Sequence, residues 1–421
     1  MFRSIYHYCW SLLGAIVYRF PSRGLTVVGV TGTNGKTTVV ELVAHILHAA
    51  EVAVASSSSV QFSVVNKREQ NSRKMTMPGR AFMQRFLRRA VRAGATHAVL
   101  EITSEGVRQH RHRFIDFDVA ALTNVTPEHI ESHGGFARYR AAKLAFFDTL
   151  KKGNPLTQYR IVNGDDPSAP LFLEHGRGAR WVYGMTEKTT ALHGDILLRP
   201  SSTEASAEGI SFVLDGTTYH SPLHGAFNLS NILCAIAITR ALGISVPVIR
   251  RAVAEFSEVP GRMEYVREGQ YFDVIVDYAH TPDALAQVYQ TLIGEQKSKR
   301  LICVLGAAGG GRDKWKRPEL GKIAREYCSR VIVTDEDPYD EDPYAIINAV
   351  AIDPAFEKIL DRKAAIEKAV SYAAPGDTVI ITGKGAEPLM AVAGGRKIPW
   401  DDREVAREAL RELAGNPFQY Q

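Results

Sequence analysis

The chain has 421 residues, which is too long for one ordinary hydrophobic core, so we predict two or three domains. Hydrophobic residues make up 45% and charged residues 23% of the chain, proportions that exclude a disordered protein. The formal net charge is only +5, and the basic surplus is concentrated at residues 67–92 without the aromatic pattern of RNA-binding modules. We interpret it as a solvated face, or as a surface for an anionic small molecule or membrane, ahead of nucleic acid.

The four cysteines, at positions 9, 234, 303 and 328, are widely separated and form no C-x-x-C pair. This spacing favours neither a disulfide framework nor a structural zinc site, so we expect free thiols in a reducing cytoplasm.

An apolar stretch, CWSLLGAIVY at residues 9–18, lies between Arg3 and Arg19. It lacks a small-residue cleavage site before Pro21, and ten residues cannot cross a bilayer of about 30 Å as a helix. We expect a helix within residues 1–24 that packs on the body of the protein. Peripheral membrane contact through an interfacial helix at residues 1–20 is the alternative.

Strand and helix patterns alternate from residue 24 onwards. GLTVVGV predicts a buried strand, the glycine-rich TGTNGKTT follows it, and VVELVAHILHAA has apolar residues at helical spacing. The pattern recurs up to YRIVNGDD at 159–166, which predicts a mostly parallel sheet covered by helices. Residues 180–223 alternate and turn like antiparallel strands, and a helix is predicted at 224–244.

A second strand-and-helix series follows VPGRMEY at 259–265. We therefore predict an α/β protein in three parts. A short apolar helix occupies residues 1–24, a P-loop-type ATPase domain with a mostly parallel sheet and a β excursion occupies 25–258, and a Rossmann-like α/β domain occupies 259–421.

The glycine-rich loop predicts a phosphate site. A helix N-terminus presents unpaired N–H groups to phosphate, and a lysine adds a point charge. Val30 stands where a strict Walker A motif has glycine, yet Lys36 and Thr37 keep the residue types that bind the β/γ-phosphates and magnesium. The predicted nucleotide contacts of the loop are Thr33, Asn34, Gly35, Lys36, Thr37 and Thr38.

Together with later motifs, TGTNGKTT resembles the Mur ligase family, amino-acid ligases of cell-wall peptide synthesis that include folylpolyglutamate synthase as a relative. The resemblance runs from about Leu25 to the C-terminus and is closest to the ligase that adds the third peptide residue. It implies a cytoplasmic, monomeric enzyme that acts on small molecules in peptidoglycan biosynthesis, and thereby in cell shape and division. Its implied cofactors are ATP and two magnesium ions.

Three side chains are candidate metal ligands besides Thr37. Glu101 and His129 follow predicted strands, where ligands of open α/β sheets gather, and the resemblance implies that both bind magnesium. Lys143 shares one helix face with Tyr139 and Phe146, where a lysine must either extend its ammonium to water or change its charge. The family's matching lysine is carbamylated by CO2, which implies a carbamate on Lys143 that holds the second magnesium ion.

The remaining nucleotide contacts come from two regions. Asn228 and Asn231 lie one helical turn apart, and the resemblance implies that they contact adenine. Arg262, on the presumed link between domains, would reach phosphate, and Asp277 and His280 in DYAHTPDAL would lie near the ribose. The expected catalytic residues are Lys36, His129, Lys143 and Arg262.

The resemblance also implies two substrate sites. KMTMPG and TSEGVRQHR would hold a muramoyl-dipeptide-type acceptor through Thr76, Met77, Thr103, Gln109 and Arg111. The incoming amino acid would meet Arg312 at its α-carboxylate and Glu387 at its side-chain amine. The further residues expected around that amino acid are Glu336, Asp337, Tyr339 and Gly383.

The chain departs from the family pattern in two places. It reads Glu336-Asp337-Pro338-Tyr339 where diaminopimelate-adding enzymes have D-N-P-R, so the arginine for the distal carboxylate is replaced by Tyr339. We therefore expect lysine or ornithine rather than diaminopimelate. Only 24 residues precede Leu25, where the family has a uridine-nucleotide-binding domain, so we expect the acceptor to be held without that domain, through a partner, or on another carrier.

The acidic run TDEDPYDEDP at 334–343 has prolines and no glycine, which disfavours a calcium loop. We expect its first half to face the amino acid and residues 340–342 to start a helix. The predicted function is an ATP-dependent amide ligase that works through an acyl phosphate. The alternatives are a folylpolyglutamate-type or other Mur-like ligase, and a non-catalytic ATP-binding subunit of a cell-wall assembly.

Overall fold

A computed structural model describes residues 2–79, 81–152, 157–206, 208–294 and 298–414. The chain divides into two compact units. The first consists of residues 1–127 and 133–257, and the second consists of residues 128–132 and 258–421.

The first unit is built on a sheet of nine strands. The strands are β1 (Thr26–Thr31), β2 (Val54–Ser57), β3 (Gln61–Val64), β4 (Lys67–Gln70), β5 (His97–Ile102), β6 (Val119–Leu122), β7 (Tyr159–Asn163), β8 (Ala179–Tyr183) and β9 (Ile196–Leu198). Their order is β4-β3-β2-β5-β1-β6-β7-β8-β9, and all neighbours are parallel except β2–β3 and β3–β4. The central β1 is buried because the sheet is covered on both faces.

Three antiparallel strands form a separate small sheet, β10 (Ser202–Ser206), β11 (Gly209–Leu214) and β12 (Thr217–Ser221). The helices described between residues 2 and 257 are α1 (Phe2–Val17), α2 (Lys36–Ala49), α3 (Phe82–Arg92), α4 (Ser104–Arg108), α5 (Ile130–His133), α6 (Phe136–Phe147), α7 (Ala169–Glu174), α8 (Ala226–Ala241) and α9 (Val246–Glu255). The predicted β excursion is therefore confirmed for residues 202–221, which form a sheet of their own. For residues 180–198 the antiparallel expectation was wrong, because β8 and β9 extend the nine-stranded sheet as parallel strands.

The second unit has a six-stranded sheet and a hairpin. The sheet strands are β13 (Glu264–Tyr265), β14 (Asp273–Asp277), β15 (Leu301–Leu305), β16 (Arg330–Val333), β17 (Glu357–Lys358) and β18 (Thr378–Thr382), in the order β13-β14-β18-β15-β16-β17. The hairpin pairs β19 (Leu389–Ala391) with β20 (Lys397–Pro399). Its helices are α10 (Pro282–Gly294), α11 (Lys316–Tyr327), α12 (Pro343–Val350), α13 (Arg362–Ser371) and α14 (Asp402–Ala414).

All neighbouring strands of the six-stranded sheet are parallel except β13 with β14. Its core is formed by β-branched residues such as Val304 and Ile381, packed against alanine and isoleucine on α13. The predicted fold class, a mostly parallel α/β sheet followed by a second α/β unit, is confirmed.

One expectation about the cysteines was wrong. Cys303 on β15 and Cys328, directly after α11, form a disulfide with a Cα–Cα distance of 6.1 Å. The two residues are 25 positions apart, so no spacing pattern in the sequence indicated that β15 and the end of α11 lie side by side. Cys9 and Cys234 are free.

The N-terminal helix α1 packs on α3 through small residues, since a Cβ added to Gly14 would lie 2.4 Å from the Cβ of Ala81. Ser11 on the same side donates a hydrogen bond to the carbonyl of His110 at 2.8 Å. Among the described residues, no helix is long and apolar enough to cross a membrane.

Candidate active site

The glycine-rich loop connects β1 to α2 in the first unit. Gly35 caps α2 with φ 82°, and a Cβ at this position would lie 2.1 Å from Oδ1 of Asn231. Both the backbone conformation and the close approach therefore require glycine. Lys36 begins α2, and its Nζ donates to the carbonyl of Thr33 at 2.7 Å, which folds the ammonium back over the loop. A helix N-terminus with an adjacent ammonium is suited to bind phosphate.

The neighbouring loop residues are fixed by the strand end of β6. The backbone N–H of Asn34 donates to Oδ1 of Asn124 at 2.9 Å, and the hydroxyl of Thr33 donates to the carbonyl of Thr126 at 3.1 Å. Thr38 is buried in the first turn of α2. Hydrogen bonds to the residues that follow β6 thus fix the conformation of the glycine-rich loop.

A buried carboxylate lies beside the loop. Glu101 is the penultimate residue of β5, and its Oε2 accepts hydrogen bonds from the hydroxyl of Thr37 at 3.0 Å and from the backbone N–H of Ser59 at 2.9 Å. The hydroxyls of Thr37 and Ser59 lie 2.8 Å apart. Carboxylate and hydroxyl oxygens are the ligands that magnesium prefers, so this group fits a magnesium ion. The sequence predicted Thr37 and Glu101 here and missed Ser59.

Lys143 lies on the buried face of α6, as the periodicity predicted, with 1% of its surface exposed. Its ammonium donates to the carbonyl of Gly32 and lies 4.5 Å from the ring centroid of Tyr139. The hydroxyl of Tyr139 lies 3.0 Å from that of Thr33. The lysine therefore contacts the phosphate loop from behind, where a carbonyl and an aromatic face already compensate its charge.

The two asparagines on α8 are buried and bonded to each other. Nδ2 of Asn231 donates to Oδ1 of Asn228 at 3.2 Å, and Nδ2 of Asn228 donates to the carbonyl of His224 at 2.8 Å. Because Asn231 also contacts Gly35, the pair lies directly beside the phosphate loop.

Four of the five predicted acceptor contacts form one cluster in the first unit. Arg111 donates to the carbonyl of Met77 and to Oε1 of Gln109, and the sulfur of Met77 lies 3.2 Å from the backbone nitrogen of Thr103. Thr103 caps α4 by accepting from the N–H of Gly106 at 3.1 Å. Thr76 is half-buried beside Met77 in the chain.

Burial lowers the pKa of Arg111, and the carboxylate of Glu105 partly opposes that effect. Within the described part of the chain, its buried Nε has no hydrogen-bond partner. A buried N–H of this kind is costly unless it meets an acceptor, so the cluster is suited to bind a carboxylate.

The second unit contains a polar cavity at the carboxyl ends of its parallel strands. It is lined by Glu128, His129, Tyr278, His280, Ala308, Arg312, Asp313, Lys316, Glu336, Asp337, Gly383 and Glu387. Five of the six residues predicted for the amino acid are therefore brought together. The sixth, Tyr339, is outside this lining among the described residues, and its ring packs against Gly310, in the loop that leads to Arg312.

A buried ammonium organises two of the carboxylates. Nζ of Lys384 donates to Oδ1 of Asp337 at 3.1 Å and to Oε2 of Glu387 at 2.8 Å. Burial lowers the pKa of Lys384, but the two carboxylates outweigh it, and the net shift is upward. Oδ1 of Asp337 also accepts from the N–H of Ala391 at 2.7 Å, so this carboxylate links Lys384 to strand β19. Lys384 was not predicted from the sequence.

Tyr278 completes this group. Its hydroxyl donates to Oε1 of Glu387 at 3.2 Å, and the proximity of Glu387, together with burial, raises the pKa of Tyr278 well above its usual value. The guanidinium of Arg262 lies 4.2 Å from the Tyr278 ring centroid. Arg262 is therefore held by the strand-end residues of β14.

Glu336 points into the same cavity with one oxygen available. Its Oε2 is buried and has no hydrogen-bond partner among the described residues. A Cβ on Gly383 would lie 2.4 Å from that oxygen, so only glycine at this position leaves room for it. A buried acceptor of this kind is suited to a ligand amine.

The segment at residues 128–132 belongs to the second unit and is bound to it by several hydrogen bonds. The carboxylate of Asp313 accepts from the backbone N–H groups of Ile130 and Glu131, both at 3.0 Å. Oε1 of Glu128 lies 3.0 Å from Nε2 of His280 and 3.7 Å from Nε2 of His129. His129 is thus beside an acidic residue and His280, and neither Asp313 nor Glu128 was identified in the sequence.

Asp277 has two main-chain donors. Its carboxylate accepts from the N–H groups of Met263 at 2.8 Å and Ala279 at 2.6 Å. Burial raises its pKa, and Arg262 opposes that effect. The contacts fix the turn around Arg262, and the predicted ribose contact stays a prediction.

Comparison with known proteins places these features in a family. Residues 30–239 match the model of the Mur ligase middle domain, and residues 261–385 match that of the Mur ligase glutamate ligase domain. The chain belongs to the Mur ligase family. Similar curated relatives include a UDP-N-acetylmuramoyl-L-alanyl-D-glutamate–2,6-diaminopimelate ligase of Thermosynechococcus vestitus, 37% identical over 97% of this chain and 81% of that protein. A UDP-N-acetylmuramyl-tripeptide synthetase of Roseiflexus is 35% identical over 95% of this chain and 81% of that protein.

Solved structures show the same relationship. One UDP-N-acetylmuramoyl-L-alanyl-D-glutamate–2,6-diaminopimelate ligase has a TM-score of 0.61 at 30% identity, covering 93% of this chain and 79% of its own. A folylpolyglutamate synthase of Mycobacterium tuberculosis, solved with ADP and AMPPCP, has a TM-score of 0.71 at 18% identity. The latter covers 97% of this chain and 95% of its own, and shows the shared fold alone.

As a Mur ligase, the protein is an ATP-dependent amide ligase of cell-wall peptide synthesis. The relatives' names do not support lysine or ornithine as the added residue, and that preference stays a prediction. The predicted replacement of a uridine-nucleotide domain by residues 1–24 also stays a prediction.

Proposed function

We propose that this Mur ligase joins a diamino acid to the carboxylate of a muramoyl-L-Ala-D-Glu-type acceptor, with conversion of ATP to ADP and phosphate. The observation that carries the proposal is the cavity of the second unit, which combines the guanidinium of Arg312 with the carboxylates of Glu336 and Glu387. A diamino acid has one carboxylate and two amines that match such a lining. The phosphate loop of the first unit supplies the nucleotide site.

The reaction balances in two steps. An oxygen of the acceptor carboxylate attacks the γ-phosphorus of ATP, and ADP leaves with the electron pair of the broken P–O bond. The neutral amine of the amino acid then attacks the acyl carbon. Phosphate leaves the tetrahedral intermediate, and the excess proton on the nitrogen passes to water. Lys36 would stabilise the charge that develops on the γ-phosphate, and Arg262 would neutralise the phosphate when it is bound.

Magnesium, when bound, would neutralise phosphate charge beside the loop. Thr37, Glu101 and Ser59 form an oxygen group that fits one ion, and Lys143 as a carbamate is proposed to bind a second. His129 stays a predicted magnesium ligand. Lys143 donates to the Gly32 carbonyl, and a carbamate would keep one N–H for that bond while adding two oxygens.

The carbamate can be tested apart from turnover. We expect the protein incubated with 13C-bicarbonate to show one carbamate carbon signal that is absent from Lys143→Ala. The exposed Lys188→Ala serves as the matched control. Lys143→Ala should also lose nearly all activity. A wild-type spectrum without the signal, or near-normal activity of Lys143→Ala, would contradict the carbamate role.

Two observations favour different amino acids. Tyr339 replaces the arginine that would bind a distal carboxylate, which favours lysine or ornithine. The relatives are named for the addition of diaminopimelate. Equal amounts of lysine, ornithine and diaminopimelate, offered with ATP and UDP-muramoyl-dipeptide and analysed by product mass, decide between them. Predominant diaminopimelate product would overturn the expectation based on Tyr339, and Tyr339→Arg should then change the ratio little.

The same reaction separates the proposed function from its alternatives. A folylpolyglutamate-type ligase would turn over with glutamate and a folate acceptor, and a non-catalytic subunit would release no ADP with any acceptor. We expect ADP release that depends on both the muramoyl dipeptide and the amino acid, and loss of that release in Lys36→Ala. Acceptors with and without UDP, compared by KM, show which carrier the cytoplasmic enzyme uses.

A further inference from the structure

The N-terminal helix α1 is oriented with its apolar side outward. The side that packs on the first unit carries small residues, with Ser11 at 8% exposure and Ala15 at 0%, and Tyr8, whose ring contacts His110 and Phe114. The opposite side exposes large apolar residues at helical spacing: Ile5 50%, Tyr6 48%, Trp10 36%, Leu13 49%, Ile16 55% and Val17 61%. A helix that only covered a protein core would have the reverse arrangement. A continuous exposed apolar face marks an interaction site.

The contacts of α1 explain why this orientation is fixed. Gly14 lies directly against Ala81, at the start of α3, and no larger side chain would fit. Ser4 and Ser11 reach His110, with hydrogen-bond distances of 2.8 Å each. The helix therefore cannot rotate its apolar side inward without breaking these contacts.

A basic surface flanks the apolar face. Arg85, Arg88 and Arg92 on α3 follow Ala81 at intervals of four, three and four residues, so they continue the face of α3 that contacts α1. Among the described residues, no carboxylate pairs with these three arginines. Residues 1–40 and 71–100 contain neither Asp nor Glu. The α3 surface beside the apolar face therefore carries three positive charges without a paired carboxylate in the described part of the chain.

We propose that α1 docks the protein on an anionic lipid surface. Its apolar face would insert at the headgroup boundary, and the arginines of α3 would meet lipid phosphates. A helix of 16 residues is about 24 Å long, too short for a hydrocarbon core of about 30 Å, so it lies in the plane of the surface. Trp10 and Tyr6 have the amphipathic rings that favour this boundary.

A second copy of the chain is a poorer occupant of this surface. Two copies facing each other through α1 would bring the α3 arginines of both copies together, and like charges across an interface oppose association. A lipid surface with negative headgroups instead complements both the apolar face of α1 and the arginines of α3.

The test is flotation of the full-length protein with vesicles, without nucleotide, so its outcome is independent of the ligase reaction. We expect binding to vesicles of phosphatidylcholine with phosphatidylglycerol, and at least tenfold weaker binding to phosphatidylcholine alone. Leu13→Glu with Ile16→Glu should lower binding at least tenfold, and these exposed positions should leave the thermal unfolding midpoint unchanged. Arg85→Gln with Arg92→Gln should weaken it about fivefold for each charge, less at high salt.

Matched controls lie elsewhere on the surface. Tyr271→Glu replaces an apolar residue that is 76% exposed in the second unit, and Arg177→Gln with Arg250→Gln removes two exposed charges far along the chain from α3. Neither should change vesicle binding. If Trp10 enters the lipid, brominated lipid should quench the tryptophan fluorescence of the wild-type protein more than that of Trp10→Phe.

Several results would overturn the proposal. These are absence of wild-type binding, equal binding to neutral and anionic vesicles, and equal losses in the control variants. A dimer that Leu13→Glu dissociates while vesicle binding is unchanged would assign the face to a second copy. Retention of vesicle binding by Leu13→Glu, with loss of a protein complex, would assign it to a protein partner.

Discussion

Replacing Lys384 by methionine should destabilise the second unit by a specific mechanism. The ammonium of Lys384 is fully buried and lies between the carboxylates of Asp337 and Glu387. Methionine fills a similar volume but leaves the two carboxylates without their shared cation. The substitution therefore removes charge compensation while it largely preserves packing.

The expected loss is about 3 kcal/mol of unfolding free energy. Removing one partner of a buried ion pair costs about 3–5 kcal/mol. The lower end applies here, because Asp337 keeps its donor at Ala391 N and Glu387 keeps the hydroxyl of Tyr278. With a urea dependence of about 2–3 kcal/mol per molar, the midpoint should fall by about 1–1.5 M.

Urea unfolding, followed by circular dichroism and tryptophan fluorescence at pH 8, measures this loss. Lys363→Met is the matched control, because Lys363 is exposed and its partner Glu408 is at the surface, and its midpoint should stay near wild type. Adding Asp337→Asn to Lys384→Met should recover part of the loss, since the uncompensated charge is then smaller. An unchanged midpoint in Lys384→Met, or no recovery in the double variant, would refute the reasoning.

Three further substitutions test other parts of the second unit. Burial raises the pKa of Asp335 to about 6, so its ionisation costs stability above that pH. Asp335→Asn should therefore stabilise the protein by about 1–2 kcal/mol at pH 8. Thermal melts should show this gain fading as the pH falls through 6. Gly383→Ala should lower stability by more than about 1 kcal/mol and raise the KM for the amino acid, because φ is 110° and the new Cβ meets Glu336. Reductant, or Cys328→Ser, should lower stability by about 3 kcal/mol for the loop of 25 residues, and equal urea midpoints with and without dithiothreitol would contradict this.

The residues around the phosphate loop could be predicted from the sequence because of the geometry of parallel sheets. The carboxyl ends of parallel strands gather at one edge of a sheet, so residues that follow β1 and β5 must lie near each other. Thr37 is therefore expected beside Glu101, and the hydroxyl and the carboxylate are 3.0 Å apart. Ser59 follows β2 at the same edge, but its serine-rich context gave no chemical signal.

Helical periodicity predicted the direction of Lys143 but not its partner. The spacing of apolar residues on α6 places the lysine on the buried face, and it is buried. Its acceptor, the carbonyl of Gly32, is 111 positions away and belongs to the backbone. A backbone acceptor has no residue type that a sequence pattern could recognise.

The contacts of the second unit were harder to foresee because they join distant segments. Lys384 meets Asp337 across 47 positions, and Asp313 binds the backbone of Ile130 across 183. Each depends on how strands are ordered in the sheet, and a single sequence does not specify that order. The alternation of strands and helices predicts the fold class and leaves these side-chain pairs undetermined.

The acidic run at 334–343 shows how a dense group of carboxylates is accommodated. Asp337 pairs with Lys384, Glu341 pairs with Arg317 at 2.7 Å, and Asp342 caps α12 through the N–H of Tyr344 at 3.0 Å. Each of these three charges therefore meets a different donor. Among the described residues, no cluster of three or more Asp, Glu, His or Cys side chains is arranged to hold a metal ion. Glu336 keeps an unbonded oxygen in the cavity. Because that oxygen is buried in the cavity lining, Glu336 is the carboxylate of this run best able to attract an incoming amine.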